Sequence, residues 1–382
     1  MAENRFICIH GHFYQPPREN AWLEVIEIQD SAHPYHDWNE RINAECYAPN
    51  TASRILDKVG GVIKNISNNY SRISFNVGPT LLSWMEVNDK DTYKSILDAD
   101  KASIEAFGHG SAMAQVYNHM ILPLANRRDK ETQVIWGIRD FERRFKRKPE
   151  GMWLAESAVD TESLEILAEH GITFTVLAPR QAKATRKVGD NDWHNVNDQT
   201  VDTRKAYTCH LPSGKSIVLF FYDGNISQGV AFNGLLYDGK HFAERLMQGF
   251  NEGDHEPQLV HIATDGETYG HHHKSGDMAL AFCLDYIEKH DNVNLTNYAS
   301  FLARFTPDHE AQIIENSSWS CVHGVERWRA NCGCNGGKPG YTQTWRQPLR
   351  ETLDWLRDTL AVIFEQEGSK YFSNPWEARN DY

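Results

Sequence analysis

The sequence predicts an α/β protein with a mainly parallel, barrel-like sheet. Over about the first 305 residues, short apolar segments alternate with amphipathic segments, a pattern typical of strands joined by helices. Several of the predicted strands end in polar or charged residues, and parallel α/β folds gather such strand ends at one face. The chain has 382 residues, 40% of them hydrophobic, which is enough to bury a sizeable core.

Apolar runs of strand length occur at six places before residue 305. The predicted strands are Phe6–His10, Ile73–Val77, Gly151–Leu154, Phe174–Leu177, Ile217–Tyr222 and Leu259–Ala263. Polar residues at or just beyond their carboxyl ends are His10, His12, Glu156, Asp223 and Asp265. We therefore expect these side chains to meet at one end of the sheet.

Apolar residues at spacings of three and four predict helices between the strands. The predicted helices are Thr51–Lys64, Asp129–Phe145, Asp160–His170, Gly239–Asn251 and Gly276–His290. The segment Gln181–Thr203 is polar instead, and it predicts an excursion from the repeating strand and helix pattern.

The character of the chain changes after residue 306, so we predict a catalytic unit in residues 1–306 and a separate C-terminal region in residues 307–382. This region holds a segment rich in Trp, Cys and Gly, followed by a predicted amphipathic helix, Gln347–Glu367. The apolar stripe of that helix predicts core or interface packing, and the aromatic residues near Tyr382 predict that the tail docks onto another surface. The pattern favours a C-terminal region cut short of a longer natural chain.

Charge and composition narrow the class of protein. The formal net charge of −13 offers no basic face for nucleic acid, and no window approaches the roughly 20 apolar residues of a membrane span. We expect a cytoplasmic protein with reduced cysteines and no cofactor. Cys321, Cys332 and Cys334, near His323, form the one local cluster of metal-ligand type, but their spacing is atypical of zinc sites and favours ordinary packed thiols, so we predict no metal.

Two carboxylates at predicted strand ends suggest glycosidic bond cleavage. Glu156 follows the strand that contains Trp153, and Asp265 follows another predicted strand, with Gly266 allowing a sharp turn before Glu267. Cleavage of a glycosidic bond requires one carboxylate as nucleophile or base and one carboxylic acid as proton donor. We therefore take Glu156 and Asp265 as the candidate catalytic pair.

Histidines and aromatic side chains near the predicted strand ends are candidates for binding sugar hydroxyls and sugar faces. The predicted substrate-binding residues are His10, His12, Gln15, His109, Trp153, Glu267, Tyr269, His273, Trp319 and Trp328. Each aromatic residue among them is also explained by packing in the core.

These segments together resemble glycoside hydrolase family 57, whose five conserved regions have counterparts in order from residue 10 to about residue 328. The counterparts are His10-Gly-His-Phe-Tyr-Gln-Pro16, Glu105-Ala-Phe-Gly-His109 leading to His119, Trp153-Leu-Ala-Glu156, Asp265-Gly-Glu267, and the segment from Trp319 to Trp328. The resemblance covers more than three quarters of the chain.

The resemblance implies an incomplete (β/α)7 barrel with a helical C-terminal region, acting on α-linked glucans with retention at the anomeric carbon. It implies Glu156 as the nucleophile and Asp265 as the general acid/base. Retention by this route requires the two carboxyl groups about 5 to 5.5 Å apart. An oligo- or polysaccharide is then the expected partner, either hydrolysed or transferred to an acceptor sugar.

Two other classes of function remain open. A metal-dependent hydrolase, such as a polysaccharide deacetylase or an α-mannosidase, would use His10 and His12 with a carboxylate to hold zinc and activate water. Against that alternative, the sequence lacks an Asp-Asp pair joined to a His-x3-His spacing, and it leaves Glu156 without a role. The second alternative is a carbohydrate-binding barrel without turnover.

Overall fold

The computed structural model describes residues 4–57 and 61–382. Its strands in chain order are β1 (Arg5–Phe13), β2 (Ser53–Leu56), β3 (Ile63–Ser67), β4 (Ser74–Val77), β5 (Ala114–Gln115), β6 (Met152–Trp153), β7 (Phe174–Leu177), β8 (Ala182–Lys187), β9 (His194–Asn195), β10 (Ala206–His210), β11 (Ser216–Phe221), β12 (Gln258–Asp265), β13 (Asn294–Leu295) and β14 (His309–Ile313).

The helices pack around and beyond these strands. In chain order they are α1 (Trp38–Ile42), α2 (Ala48–Thr51), α3 (Pro79–Asn88), α4 (Lys90–Phe107), α5 (Arg127–Phe145), α6 (Thr161–Glu169), α7 (Gly224–Phe232), α8 (Gly239–Met247), α9 (Gly276–Glu288), α10 (Tyr298–Arg304), α11 (Glu326–Arg329), α12 (Arg346–Gly368) and α13 (Pro375–Asp381).

Parallel pairing links the barrel strands. Strand β1 pairs with β12 on one edge and with β4 on the other, β5 pairs with β6, and β7 pairs with β11. Single parallel bridges, Phe75 to Ala112 and Gly151 to Phe174, connect these groups. The resulting order, β12-β1-β4-β5-β6-β7-β11, confirms the expected barrel of seven strands within the described residues.

The ring stays open between β11 and β12. The free edge of β11 pairs antiparallel with β10 rather than with β12. Two backbone hydrogen bonds span the opening, from Asp223 N–H to His261 O at 2.8 Å and from Leu259 N–H to Arg204 O at 2.9 Å. Strands β14, β8 and β9 extend the sheet beyond β10, so the polar excursion Gln181–Thr203 joins an outer, largely antiparallel sheet.

All six predicted barrel strands are confirmed, with bounds that shift by a few residues. The predicted helix Thr51–Lys64 is wrong. Helix α2 ends at Thr51, and β2 then pairs antiparallel with β3, although residues 58–60 lie outside the described part of the chain. Ser53 and Ile55 are buried while Arg54 between them is exposed, which is the alternation of a half-buried strand.

The other predicted helices are confirmed as α5, α6, α8, α9 and α12. The apolar stripe of α12, however, is not packed in a core. Its side chains are 42–52% exposed, namely Leu349, Leu353, Leu356, Leu360 and Ile363. The predicted docking of the tail is confirmed at Trp376, which packs on Phe364 with ring centroids 4.6 Å apart and beneath the guanidinium of Arg128 on α5.

Strand β14 lies beyond the predicted boundary at residue 306 and pairs with β8 and β10. The outer sheet of the N-terminal unit therefore uses residues of the predicted C-terminal region, and the division into residues 1–306 and 307–382 stays a prediction. Within the described residues, no helix is both long enough and apolar enough to cross a membrane.

Candidate active site

The predicted catalytic pair lines a single cleft at the carboxyl ends of the barrel strands. Glu156 follows β6 and Asp265 ends β12. Counted past β7 and β11 and across the opening, β12 lies three strands from β6. The cleft has a volume of about 520 Å³. Its side chains include Arg180, Asp198, Gln199, Tyr222, Asn225, Gln228, Phe232 and Trp319.

Glu156 is held in a backbone conformation that few residues other than glycine adopt. It has φ of 56° and ψ of 21° within a 3-10 turn, Ala155–Ser157, and Ser157 also has positive φ. Left-handed backbone costs a non-glycine residue roughly 1–2 kcal/mol, and such strain clusters at functional sites. The fold thus spends stability to aim the half-buried Glu156 carboxylate into the cleft.

Trp319 holds the Glu156 turn from the opposite side. Its indole Nε1–H donates to Glu156 Oε2 at 3.1 Å, and its backbone N–H donates to Glu156 O at 3.0 Å. Buried Gln181 ties the same two segments together, because its Nε2 donates to Ser157 O at 2.7 Å and to Ser317 Oγ at 3.2 Å. The nucleophile candidate is therefore positioned by a segment more than 150 residues away in sequence.

Asp265 has the properties of a proton donor. Its side chain is reachable through the cleft, yet desolvation by the surrounding protein, together with the carboxylates of Glu156 and Glu267, raises its pKa to about 7. Gly266 makes the next turn possible, because a Cβ there would lie 2.3 Å from the buried ring of Phe13. Asp265 is thus protonated below about pH 7, as a general acid requires.

Glu267 takes part in a polar network beside the cleft. Its Oε1 accepts hydrogen bonds from Tyr47 Oη, at 3.0 Å, and from Gln15 Nε2. The guanidinium of Arg18 in turn donates to the side-chain amide oxygen of Gln15, Oε1. Burial raises the pKa of Glu267 despite these donors. The structure therefore brings the predicted residues Gln15 and Glu267 together beside the cleft.

His10 and His12 lie beneath the cleft as neutral imidazoles. Burial lowers the pKa of His10 to about 3 and, together with His119 and His10, lowers the pKa of His12. Asn76 joins the two rings, because it accepts from His10 Nε2 at 3.1 Å and donates to His12 Nδ1 at 2.9 Å. His12 Nε2 lies 3.0 Å from His119 Nε2, so the chain of donors ends at a half-buried histidine.

Trp153 and Tyr269 are core residues rather than sugar platforms. The buried ring of Trp153 stacks under His10 and His12, with centroids 4.8 and 5.1 Å away. The buried Tyr269 hydroxyl is 3.1 Å from Thr264 Oγ1. Both predicted contacts with substrate therefore become supporting roles beneath the site.

Three other predicted binding residues lie outside the cleft lining. His109 precedes β5, at the amino ends of the barrel strands, and its Nδ1 is 2.9 Å from Glu150. The structure therefore does not bring His109 to the site. Trp328 lies in the short helix α11, away from the cleft lining. His273 contacts the cleft wall indirectly, through a 2.9 Å hydrogen bond to Ala231 O.

Several cleft residues escaped the sequence analysis. They include Tyr222, Arg180, Gln228 and Phe232, together with the buried Asn76 beneath the cleft. Asn76 carried a detectable signal, because an amide inside the apolar strand Ser74–Val77 needs a buried partner. Arg180, Gln228 and Phe232 lie on loops or helix faces whose direction depends on the folded chain.

Replacing Trp319 by Phe is expected to lower kcat/KM by roughly 10- to 100-fold, because hydrogen bonds to charged groups contribute about 1.5–3 kcal/mol. The substitution removes the indole donor to Glu156 and keeps an aromatic ring. Trp355→Phe on exposed α12 is the matched control and should leave kcat/KM unchanged. Equal rates for Trp319→Phe and the unmodified protein would show that this hydrogen bond does not position the carboxylate.

Two protein-family models match parts of the chain. Residues 9–314 match the family model described as glycosyl hydrolase family 57, and residues 341–382 match a model described as domain of unknown function (DUF3536). No curated protein sequence matches the chain significantly.

Solved structures share the fold at low sequence identity. They include a 4-α-glucanotransferase from Thermococcus litoralis (18% identity, TM-score 0.59, covering 83% of this chain and 42% of that chain). An exo-type maltose-forming amylase from Pyrococcus sp. ST04 has 17% identity and TM-score 0.70 over 98% of this chain and 65% of that chain. A branching enzyme from Thermococcus kodakaraensis has 16% identity and TM-score 0.58, covering 86% of this chain and 76% of that chain. The chain thus spans less than two thirds of the first two proteins.

Proposed function

The chain belongs to glycosyl hydrolase family 57, and on that premise we propose that it is a retaining glycosidase or transglycosidase acting on α-linked glucans. The observation that carries this proposal is the placement of Glu156 and Asp265 in one cleft, with the pKa of Asp265 raised to about 7. The proteins of shared fold named above, a glucanotransferase, an amylase and a branching enzyme, support α-glucans as the substrate class.

The proposed reaction is a double displacement. Protonated Asp265 donates its proton to the glycosidic oxygen while a carboxylate oxygen of Glu156 attacks the anomeric carbon, so that the leaving sugar departs and a glycosyl ester forms. Ionised Asp265 then takes a proton from water or an acceptor hydroxyl, whose oxygen attacks the same carbon and releases Glu156. Two inversions give net retention.

Aromatic and polar side chains around the pair are suited to binding sugar rings. Trp319, Tyr222 and Phe232 line the cleft, and Phe232 is 79% exposed at its margin. Asp198 and Gln199 line the cleft from the excursion after β9. We propose that these residues, rather than Trp153 or Tyr269, provide the contacts with the glucan.

The metal-dependent alternative has weaker support. A zinc hydrolase needs three protein ligands that converge on one ion with a position left for water. His10 and His12 instead both hydrogen-bond to Asn76, and in the described part of the chain the residues of metal-ligand type that converge are Cys321, His323, Cys332 and Cys334, not these histidines.

Product analysis with maltoheptaose tests the proposed function. The unmodified protein should convert it to shorter or redistributed oligosaccharides, whereas Glu156→Gln should not. Longer products than the substrate would indicate transfer. If neither maltoheptaose nor a branched glucan is changed, the proposed activity is wrong and the binding barrel without turnover gains support.

The pH profile of kcat/KM should fall as pH rises through about 7, because Asp265 must carry a proton in the first step and its pKa is about 7. Glu267→Gln removes a negative charge that raises this pKa, so the basic limb should move to lower pH. The control variant is Glu315→Gln, because the Glu315 carboxylate is exposed and accepts a hydrogen bond from the Thr161 N–H. A midpoint that does not move in Glu267→Gln would contradict the assignment of the limb to Asp265.

A further inference from the structure

Three cysteines and a histidine converge beside the candidate active site. They are Cys321, His323, Cys332 and Cys334, and one ligand atom from each lies within 4.8 Å of all the others. Cys321 Sγ is 3.6 Å from Cys334 Sγ, and His323 Nδ1 is 3.6 and 3.5 Å from these two sulfurs. No ligand of this group takes part in the proposed glycosidic chemistry.

The separations match those of a tetrahedral metal site. Zinc binds sulfur at about 2.3 Å and imidazole nitrogen at about 2.0–2.1 Å, which places two sulfurs about 3.8 Å apart and sulfur and nitrogen about 3.6 Å apart. A disulfide would instead need the two sulfurs about 2.05 Å apart. All the cysteines in the described residues are free. The ligand set Cys3His is one of the usual structural zinc sites.

Glycines shape the chain around this cluster. Gly333, between Cys332 and Cys334, has φ of +81°, a conformation that turns the backbone sharply between the two thiols. Gly324 follows His323 and has φ of +59°, and a Cβ there would lie 2.1 Å from the carbonyl oxygen of Asn316. The turn at Gly333 compensates for the short Cys-x-Cys spacing of Cys332 and Cys334, which made a zinc site unlikely from the sequence.

A nearby cation complements the charge of an occupied site. Zinc with three thiolates and a neutral imidazole carries a net charge of −1, and the three thiol protons are released to solvent on binding. Arg346 Nη1, in the first turn of α12, lies 3.8 Å from Cys332 Sγ. The guanidinium therefore offers the outer hydrogen bond that metal-bound thiolates commonly accept.

The cluster is continuous with the segment that holds Glu156. Val325 N–H donates to Asn316 O at 2.9 Å and closes a loop that contains both Trp319 and the first two ligands. Cys321 is two residues from Trp319, and Ser320 between them lines the cleft. A metal here would join the cysteine segment to the loop that positions the nucleophile candidate, with Arg346 of α12 beside it.

We propose that Cys321, His323, Cys332 and Cys334 bind one structural zinc ion, which fixes the Trp319 loop against Glu156. The four protein ligands fill the tetrahedron, so the ion has no open position for water and takes no part in bond cleavage. Its effect on the active site is to keep the indole of Trp319 in place.

Metal content and cobalt spectroscopy test this proposal without reference to activity. The full chain is purified under reducing conditions, incubated with zinc and freed of unbound metal. Inductively coupled plasma mass spectrometry should then find one zinc per chain. Replacing zinc with cobalt should give intense thiolate-to-cobalt absorption and the d–d bands of a tetrahedral ion. Cys332→Ser should lose at least tenfold in zinc affinity, whereas the control Cys209→Ser, a buried thiol on β10, should keep one zinc.

Proteolysis adds a readout of the loop that does not depend on the variants folding alike. Trypsin should cut the unmodified chain near Arg327 and Arg329, which lie between the ligands, at least tenfold faster after zinc is removed. Fewer than 0.1 zinc per chain after reconstitution would overturn the proposal. Unchanged zinc in Cys332→Ser, or a disulfide between Cys321 and Cys334 in the purified protein, would also overturn it.

Discussion

Replacing Glu156 by Gln is expected to lower kcat by roughly 10⁴-fold or more while leaving the fold intact. Gln has the same shape as Glu and meets the same left-handed backbone, so the turn at β6 should keep its strain and its hydrogen bond from Trp319. The amide has no carboxylate oxygen with which to attack the anomeric carbon, and removing a nucleophile costs more than removing any single hydrogen bond. Steady-state hydrolysis and the far-ultraviolet circular dichroism spectrum check both halves of this prediction.

Glu150→Gln provides the matched control. Glu150 precedes β6 by two residues, at the opposite end of the same strand, and pairs with His109. This variant makes the same chemical change on the same barrel strand, so it should retain full activity. Comparable losses in both variants would indicate a general effect of altering β6 rather than loss of a nucleophile.

The Glu156→Gly variant separates the nucleophile from other roles of the carboxylate. Glycine adopts the left-handed conformation freely, and it leaves space next to the anomeric carbon. With α-glucosyl fluoride, azide should enter that space, form a bond to the anomeric carbon from the side of residue 156 and release fluoride, giving β-glucosyl azide. Recovery of an α-glucosyl azide from this variant would place the nucleophile elsewhere.

The sequence predicted that Glu156 and Asp265 lie at one face because parallel topology turns a local pattern into a spatial one. A carboxylate that follows an apolar run lies at the carboxyl end of a strand, and those ends meet at one face. Glu156 and Asp265 satisfied this condition from their own flanking residues, so their meeting in one cleft needed no knowledge of side-chain contacts. The six barrel strands on which the argument depended were long or apolar enough to detect.

The sequence-based predictions fail where a very short strand or a long-range contact decides where a residue or element lies in the fold. Strand β5, Ala114–Gln115, is too short to produce a periodic signal, so the sequence did not reveal that His109 precedes a strand instead of following one. The outer sheet of β8, β10 and β14 depends on pairing across more than 100 residues. The stripe of α12 predicted packing, but amphipathic spacing alone does not identify the surface that a helix faces.

The two tryptophans of the site illustrate the same distinction. Trp153 lies within β6, where its ring is buried under two histidines, whereas Trp319 lies on a loop and meets Glu156 directly. Both were predicted as sugar-binding residues from their aromatic rings, and only the contacts show that Trp153 lies beneath the site while Trp319 lines it. The contribution of the Trp319 loop also explains why the barrel strands alone do not complete the site.

Replacing Asp265 by Asn is expected to reduce kcat on an α-1,4-glucan by about 10²–10⁴-fold, the usual contribution of general acid/base catalysis. The leaving sugar is a poor leaving group that needs the proton, and Asn has no acidic proton near pH 7. The basic limb near pH 7 should also disappear, since the group with a pKa of about 7 is gone. Asp254→Asn, in the loop before the other end of β12, is the control and should keep both the rate and the pH profile.

The leaving group distinguishes Asp265 from a residue that merely binds substrate. Fluoride departs without a proton, so Glu156 in Asp265→Ala should still displace it from α-glucosyl fluoride and form the glycosyl ester. Release of that ester by water needs the missing base, whereas azide needs none. Azide should therefore raise the turnover of this variant and give α-glucosyl azide, the opposite anomer from Glu156→Gly. The same anomer from both variants, or no response to azide, would refute the division of roles between the two carboxylates.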